Sequence, residues 1–73
     1  MQVDTNILIF KTNIVSLKDK KRLAEFFKIQ GITEWSVDMD DIDCVLRIVT
    51  ARLSCNDIIS QVASLGYYCE ELN

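Results

Sequence analysis

The sequence contains no histidine, the side chain that most often acts as a general base near neutral pH and most often binds metal ions. It also has no apolar run approaching the roughly 18 residues that a membrane-spanning helix needs. The N-terminal segment MQVDTNILIFK lacks the basic stretch, apolar stretch and cleavage site of a signal peptide. We therefore expect no contact with a membrane, and a cytoplasmic location.

Basic residues do not predominate either. The chain has 8 Lys and Arg residues against 11 Asp and Glu residues, a formal net charge of −3. Nucleic-acid binding needs a basic surface, so we expect no nucleic-acid partner. At 73 residues, 49% hydrophobic and 26% charged, the chain is typical of one small globular domain, residues 1–73. Without histidine or paired, buried carboxylates we find no catalytic set of residues, and expect neither an enzyme nor a cofactor.

The cysteines form no recognisable disulfide framework. Cys44, Cys55 and Cys69 are odd in number and contain no Cys-x-x-Cys motif, so we expect three free thiols in a reducing cytosol. Cys44 and Cys69 are expected to face the core. Cys55 directly follows a predicted helix cap, where the helix dipole is expected to lower its pKa and leave it exposed. Cys55 is therefore the candidate reactive thiol.

Hydrophobic periodicity predicts six elements: strands over 6–12, 32–39, 43–50 and 67–72, and helices over 16–30 and 54–66. Each predicted helix begins at a serine followed three residues later by an aspartate, and ends at a glycine (Ser16, Asp19 and Gly31; Ser54, Asp57 and Gly66). The order is β-α-β-β-α-β. It predicts an α+β fold, the ferredoxin-like sandwich, with a four-stranded antiparallel sheet of order 4-1-3-2 and both helices on one face.

This architecture leaves one face of the sheet without helices. Alternation along the two central strands predicts that this face carries Ile7, Ile9, Val45, Arg47 and Val49. Monomers usually avoid such an aliphatic patch, so we expect it to bind a second copy or another protein; the alternative is a partly apolar surface of a monomer. We expect no aromatic side chains on this face for stacking nucleic-acid bases.

Three segments resemble the heavy-metal-associated domain, a family that includes copper chaperones: Gly31-Ile32, the alternating residues 35–39, and the closing 65–67. The resemblance covers about residues 8–72 and implies the ferredoxin-like fold and a Met-x-Cys-x-x-Cys metal motif in the first loop. The family's two thiols correspond approximately to Val15 and Lys18, neither of which can donate a thiolate to Cu(I) or Zn(II). The resemblance thus implies the scaffold without its metal site. The alternative is a Cu- or Zn-binding protein of weakened or altered affinity, or one whose site uses thiols from two chains.

Two charged segments remain. The basic start of the first helix is a candidate site for an anion or an acidic partner, which would make the chain an anion-binding regulatory domain; its residues are Asn13, Ser16, Lys18, Lys20 and Lys21. The acidic run 38–43 lacks the glycine and bidentate glutamate of a calcium loop, and we interpret it as a solvated hairpin tip. Both segments are expected at one end of the sheet. That end would be dipolar, suited to a complementary protein or a second copy.

Overall fold

The structure is a computed structural model that describes residues 6–72. Within these residues the elements are β1 (Asn6–Thr12), α1 (Leu17–Gln30), β2 (Glu34–Asp38), β3 (Val45–Thr50), α2 (Cys55–Ser64) and β4 (Cys69–Glu71). The predicted order of strands and helices is confirmed.

The described strands form one antiparallel sheet of order β2-β3-β1-β4, which is the predicted order read from the other edge. The first strand is central: Phe10 pairs with Leu46 of β3, and Thr12 pairs with Cys69 of β4. Within residues 6–72, β2 and β4 are therefore the edge strands.

The core lies between one face of the sheet and the two helices. Its buried members are Phe10, Ile14, Leu23, Phe27, Ile32, Val37, Leu46, Ile48, Ile58 and Val62. The ring of Phe27 on α1 meets Trp35 on β2 edge to face, with centroids 5.2 Å apart. Ala63 on α2 is apolar but exposed. It follows Ile58 by five residues, which turns it about 140° away from the buried side of α2.

Both predicted helix starts are confirmed, and they differ in detail. At α2 the capping box is complete: the Asp57 N–H donates to Ser54 Oγ at 3.2 Å, and the Ser54 N–H donates to Asp57 Oδ2 at 2.9 Å. At α1 the Asp19 N–H donates to Ser16 Oγ at 3.1 Å, whereas it is the Ser16 hydroxyl that donates to Asp19 Oδ2. Only half of the predicted box therefore forms at α1.

The glycines end both helices in the same way. Gly31 has φ of 77° and Gly66 has φ of 92°, in the left-handed region where a Cβ would be strained. The residue after Gly31, Ile32, donates its N–H to Phe27 O at 2.9 Å, and Tyr67 after Gly66 makes the equivalent bond, to Val62 O. The N–H groups of Ile32 and Tyr67 therefore bond to the helix ends and not to a neighbouring strand. Consequently β2 and β4 each begin two residues later than the alternation predicts.

The third strand also begins two residues later than predicted, at Val45. Asp43 donates its N–H to Asp41 Oδ1, and Cys44 donates its N–H to Asp41 O. Cys44 has φ of 44°, a left-handed conformation incompatible with a strand ladder. The β2–β3 connection is therefore the six-residue hairpin loop 39–44.

Candidate functional site

The face of the sheet that no described helix covers is called the open face here, and it carries the residues that the alternation predicts. Ile7 pairs with Val49 and Ile9 pairs with Arg47 across β1 and β3. Ile7 is 54% exposed and Ile9 is 38% exposed, while Val45 and Val49 are half-buried. The structure thus brings the predicted patch together on the two central strands.

Charge on the open face follows the order of the strands. The central strands carry the cations Lys11 and Arg47, and the edge strands carry carboxylates: Glu34 and Asp38 on β2, and Glu70 on β4. Lys11 pairs with Glu70, and its Nζ lies 3.5 Å from Asp43 Oδ1. The open face therefore has an apolar and cationic centre with acidic edges.

One aromatic side chain lies at a corner of this face, contrary to expectation. Tyr68 is 49% exposed and donates its hydroxyl hydrogen bond to Glu70 Oε2. That hydrogen bond, with partial burial, raises the pKa of the Tyr68 hydroxyl. Tyr68 precedes β4 because its N–H donates to Asn13 Oδ1 at 2.9 Å, outside the sheet ladder. Nothing in the local pattern of the sequence indicates this contact between residues 55 apart.

The second candidate region is the loop end, defined as residues 13–18, which are the β1–α1 connection and the first two residues of α1, together with the hairpin loop 39–44. Thr12, 5% exposed, joins the two loops. Its N–H donates to Asp43 O at 3.0 Å and its hydroxyl donates to Cys44 O at 2.7 Å. The hydroxyl also accepts the Ile14 N–H at 3.2 Å, and Ile14 is fully buried. The prediction that both loops meet at one end of the sheet is confirmed, although Thr12 was not predicted to connect them.

The residues predicted to bind an anion lie at the loop end and the following turn of α1, but two of them are engaged within the chain. Asn13 accepts the Tyr68 N–H, and Ser16 is bonded to Asp19. Lys18 and Lys21 are exposed, and Lys20 is half-buried, beside that same Asp19 carboxylate on the first turn. The described contacts therefore place a carboxylate where an anion would bind, and the anion site stays a prediction.

The Asp19 carboxylate also links α1 to the segment that precedes β4. The Tyr67 hydroxyl donates to Asp19 Oδ1 at 2.9 Å and accepts from Arg22 at 3.3 Å, while the guanidinium lies over the Tyr67 ring, 5.4 Å from its centroid. Partial burial and the Asp19 bond raise the pKa of the Tyr67 hydroxyl. This cluster fixes the segment before β4 against α1. It depends on residues more than 40 positions apart, so spacing gave no signal of it.

The positions that correspond to the family's thiols, Val15 and Lys18, are both exposed. Within residues 6–72, no three or more His, Cys, Asp or Glu side chains are grouped so that they could hold a metal ion. That part of the chain also encloses no pocket. The weakened metal site built from two chains stays a prediction.

The cysteines differ from expectation at one position. All three are free thiols, with Cys44 buried and the other two partly buried. The pKa of Cys55 is raised, not lowered, because partial burial and the adjacent Glu71 carboxylate disfavour the thiolate. Burial, with a contribution from Cys55, raises the pKa of Cys69 to about 11. The prediction of Cys55 as an exposed thiol of lowered pKa is wrong, since tertiary contact with β4 outweighs the helix dipole.

The sheet order and the two helices packed on one face define the chain as an α+β protein of ferredoxin-like fold. Of the helices described, α1 with 14 residues and α2 with 10, neither is long and apolar enough to cross a membrane. Comparisons of the chain with protein-family models, with curated proteins and with solved structures find no match. Membership of the heavy-metal-associated family stays a prediction from the sequence.

Proposed function

We propose that this chain is a non-catalytic interaction module, a heavy-metal-associated-like scaffold without its metal site, that self-associates through the open face. The observation that carries the proposal is the exposure of aliphatic side chains on the innermost strands. Ile7 and Ile9 are 54% and 38% exposed on β1, where a sheet is normally best covered. Contiguous aliphatic surface of this kind is typical of a contact site.

The charges of the edge strands favour the open face over edge pairing. Glu34 and Asp38 lie on β2, and Glu70 and Glu71 lie on β4. Pairing the edge strands of two copies would set carboxylates against carboxylates, which destabilises a ladder. The surface between the two edges is the one that a second copy can cover without this repulsion.

The expected association is weak and concentration-dependent. Fully burying an Ile or Val side chain contributes about 1.5–3 kcal/mol, and the four aliphatic side chains of the open face are already partly covered. Association costs roughly 4–15 kcal/mol in lost translational and rotational freedom. Two such faces together exceed this cost by a few kcal/mol at most, which corresponds to a dimer with a dissociation constant of about a millimolar.

Sedimentation velocity over a range of protein concentrations, in about 0.5 M salt that screens contacts between charged side chains, tests the proposal. Val45→Lys places a charge within the patch and is expected to leave the chain monomeric where the wild type dimerises. Ile29→Lys is the matched control, because Ile29 is 81% exposed on α1 and lies outside the patch. Circular dichroism checks that both variants fold. In this salt, a wild-type chain that stays monomeric at about 0.5 mM, or a dimer that survives Val45→Lys, contradicts the proposal.

The absence of metal and nucleic-acid partners and a cytoplasmic location belong to the same proposal. Free thiols at all three cysteines are typical of a reducing compartment. The net charge of −3 and the acidic edges of the open face oppose contact with phosphates. Titration with Cu(I) and Zn(II) under reducing conditions is expected to give no stoichiometric tight complex. Tight binding that Cys→Ser substitutions abolish would instead support the metal-binding alternative.

A further inference from the structure

We infer that the loop end is a second contact surface, on which another copy of the chain docks about a two-fold axis. This inference does not depend on the open face, because the two surfaces share no residue. It rests on three features of the loop end: fixed loops, exposed apolar side chains, and opposite charges on its two loops.

The two loops are held in a fixed relation to each other. Thr12 bonds the hairpin through its N–H and its hydroxyl, at 3.0 and 2.7 Å. Buried Ile14 anchors the β1–α1 connection in the core. Within the hairpin, Asp41 Oδ1 accepts the Asp43 N–H at 2.8 Å, a turn that local side-chain bonding stabilises. A surface prepared in this way loses little conformational freedom when it binds.

Each loop presents large aliphatic side chains to solvent. Ile42, in the hairpin loop, is 96% exposed. Val15, in the β1–α1 connection, is 69% exposed, and Leu17, the first residue of α1, is 73% exposed. Folding covers little of these three side chains, so they contribute little to the core. Together they provide apolar contact area on one end of the molecule.

The two loops carry opposite charges. The hairpin exposes Asp40 and Asp41. The start of α1 exposes Lys18 and Lys21, and the N-terminal end of the helix dipole adds positive potential there. The opposing Asp19 carboxylate is already bonded to the hydroxyls of Ser16 and Tyr67. The loop end therefore has one cationic side and one anionic side.

Opposite charges side by side on one end favour a second copy as the occupant. A two-fold axis between the loops sets the cationic side of each copy against the anionic side of the other, so the same favourable contact forms twice. Lys18 then faces the partner's Asp41, and Val15 and Leu17 face the partner's Ile42. A partner of uniform charge would be attracted by one loop and repelled by the other.

Charge reversal tests this inference in the Val45→Lys background, where the open-face contact is removed. There the chain is expected to retain a weak dimer in sedimentation velocity at low ionic strength. Lys18→Glu and Asp41→Lys, introduced separately, each set like charges against each other at both contacts and are expected to weaken the dimer at least tenfold. An equimolar mixture of the two variants restores opposite charges at both contacts. It is expected to form a mixed dimer.

The controls separate this contact from general charge effects. Lys28→Glu makes the same change of charge on the last turn of α1 and is expected to leave the dimer intact. Raising the salt concentration to about 0.5 M is expected to weaken the loop-end dimer, whereas an aliphatic open-face dimer would persist. The inference is overturned if the Val45→Lys chain is monomeric at low salt, if the mixture fails to restore association, or if Lys28→Glu acts as strongly as Lys18→Glu. None of these outcomes bears on the open face.

Discussion

The two faces of the sheet are built from the same strands and differ in what surrounds their apolar residues. On β3, Leu46 and Ile48 point to the helices and are fully buried, while Val45 and Val49 on the open face are only half-buried. The covered face has no charged side chain among its buried members. On the open face, aliphatic residues alternate with Arg47 and other charged side chains.

This difference shows that hydrophobicity alone does not distinguish the side chains that stabilise the fold from those that are available for contact with another molecule. Both faces carry aliphatic residues, but the helices complete the core on one side only. Removing apolar atoms from the covered face leaves a cavity, whereas removing them from the open face leaves solvent. The comparison can therefore be tested with substitutions that change the two faces separately.

The largest effect is expected for Leu46→Ala compared with its neighbour, Val45→Ala. Leu46 is fully buried, so its truncation costs about 2–5 kcal/mol, most of the stability of a domain this small. Val45→Ala is expected to cost less than about 1 kcal/mol, because it leaves no closed cavity. Urea unfolding of dilute, monomeric protein measures both. Equal losses would show that the open face is part of the core.

Thiol alkylation compares the two faces by a different measure. Burial raises the pKa of Cys69, on the covered side of β4, from its ordinary value of 9.0 to about 11. Its thiolate population near pH 8 is then roughly a hundredfold below that of an unperturbed thiol. We expect iodoacetamide to modify an introduced Val49→Cys thiol on the open face about a hundredfold faster than Cys69, as located by tandem mass spectrometry.

The raised pKa of Cys69 also makes the stability of the fold depend on pH. A thiol whose pKa is raised on folding contributes stability that is complete below its unfolded pKa of about 9 and is lost as the pH rises towards the folded value of about 11. Cys69→Ala is therefore expected to flatten the loss of stability between these two values. Two results contradict the buried environment of Cys69. One is that Cys69→Ala loses as much stability as the wild type between pH values of about 9 and about 11, and the other is that Cys69 is alkylated as fast as the introduced thiol.

A smaller loss is expected for Thr12→Val, at the point where the covered face meets the loop end. This change preserves shape but leaves the Cys44 carbonyl and the Ile14 N–H without their bonds to the Thr12 hydroxyl, at a cost of about 1–3 kcal/mol. Thr12→Ser keeps both bonds and is expected to recover most of the loss in thermal unfolding. If the valine variant is as stable as the wild type, the two loops are not joined as described.

The smallest effect concerns the helix caps above the covered face. Ser54→Ala removes a complete capping box and is expected to cost about 1 kcal/mol, and Ser16→Ala, with half a box, is expected to cost less. Hydrogen bonds from the Ser54 backbone and side chain lower the pKa of Asp57. Its contribution is present above its ordinary value of 3.8 and is lost as the pH falls through the lowered value. The difference between wild type and Ser54→Ala in urea unfolding should therefore shrink in acid.

The sequence predicts the fold well because its signals are local. Alternation, helical periodicity and the serine and glycine caps each act within a few residues, and their order leaves few sheet arrangements. The open face follows from the same alternation. The predicted starts of β2 and β4 were wrong by two residues because the N–H groups of Ile32 and Tyr67 bond to the helix ends before a ladder can form.

The parts that could not be predicted depend on contacts distant in sequence. The pKa of Cys55 depends on its partial burial and on Glu71, which lies on another element, and a helix-dipole argument includes neither of them. The joining of the two loops by Thr12 depends on a bond to Cys44, 32 residues later. A threonine at the end of a strand has no pattern that indicates such a partner.

The central position of β1 has a consequence for how the chain folds. Its first partner strand along the sequence is β3, where Leu46 follows Phe10 by 36 residues, and its other partner, β4, ends the described chain. Every pairing of β1 therefore closes a long loop of chain, which slows folding relative to a hairpin. During synthesis the apolar strand β1 emerges well before β3 and β4, so this fold is expected to form only once β4 has left the ribosome.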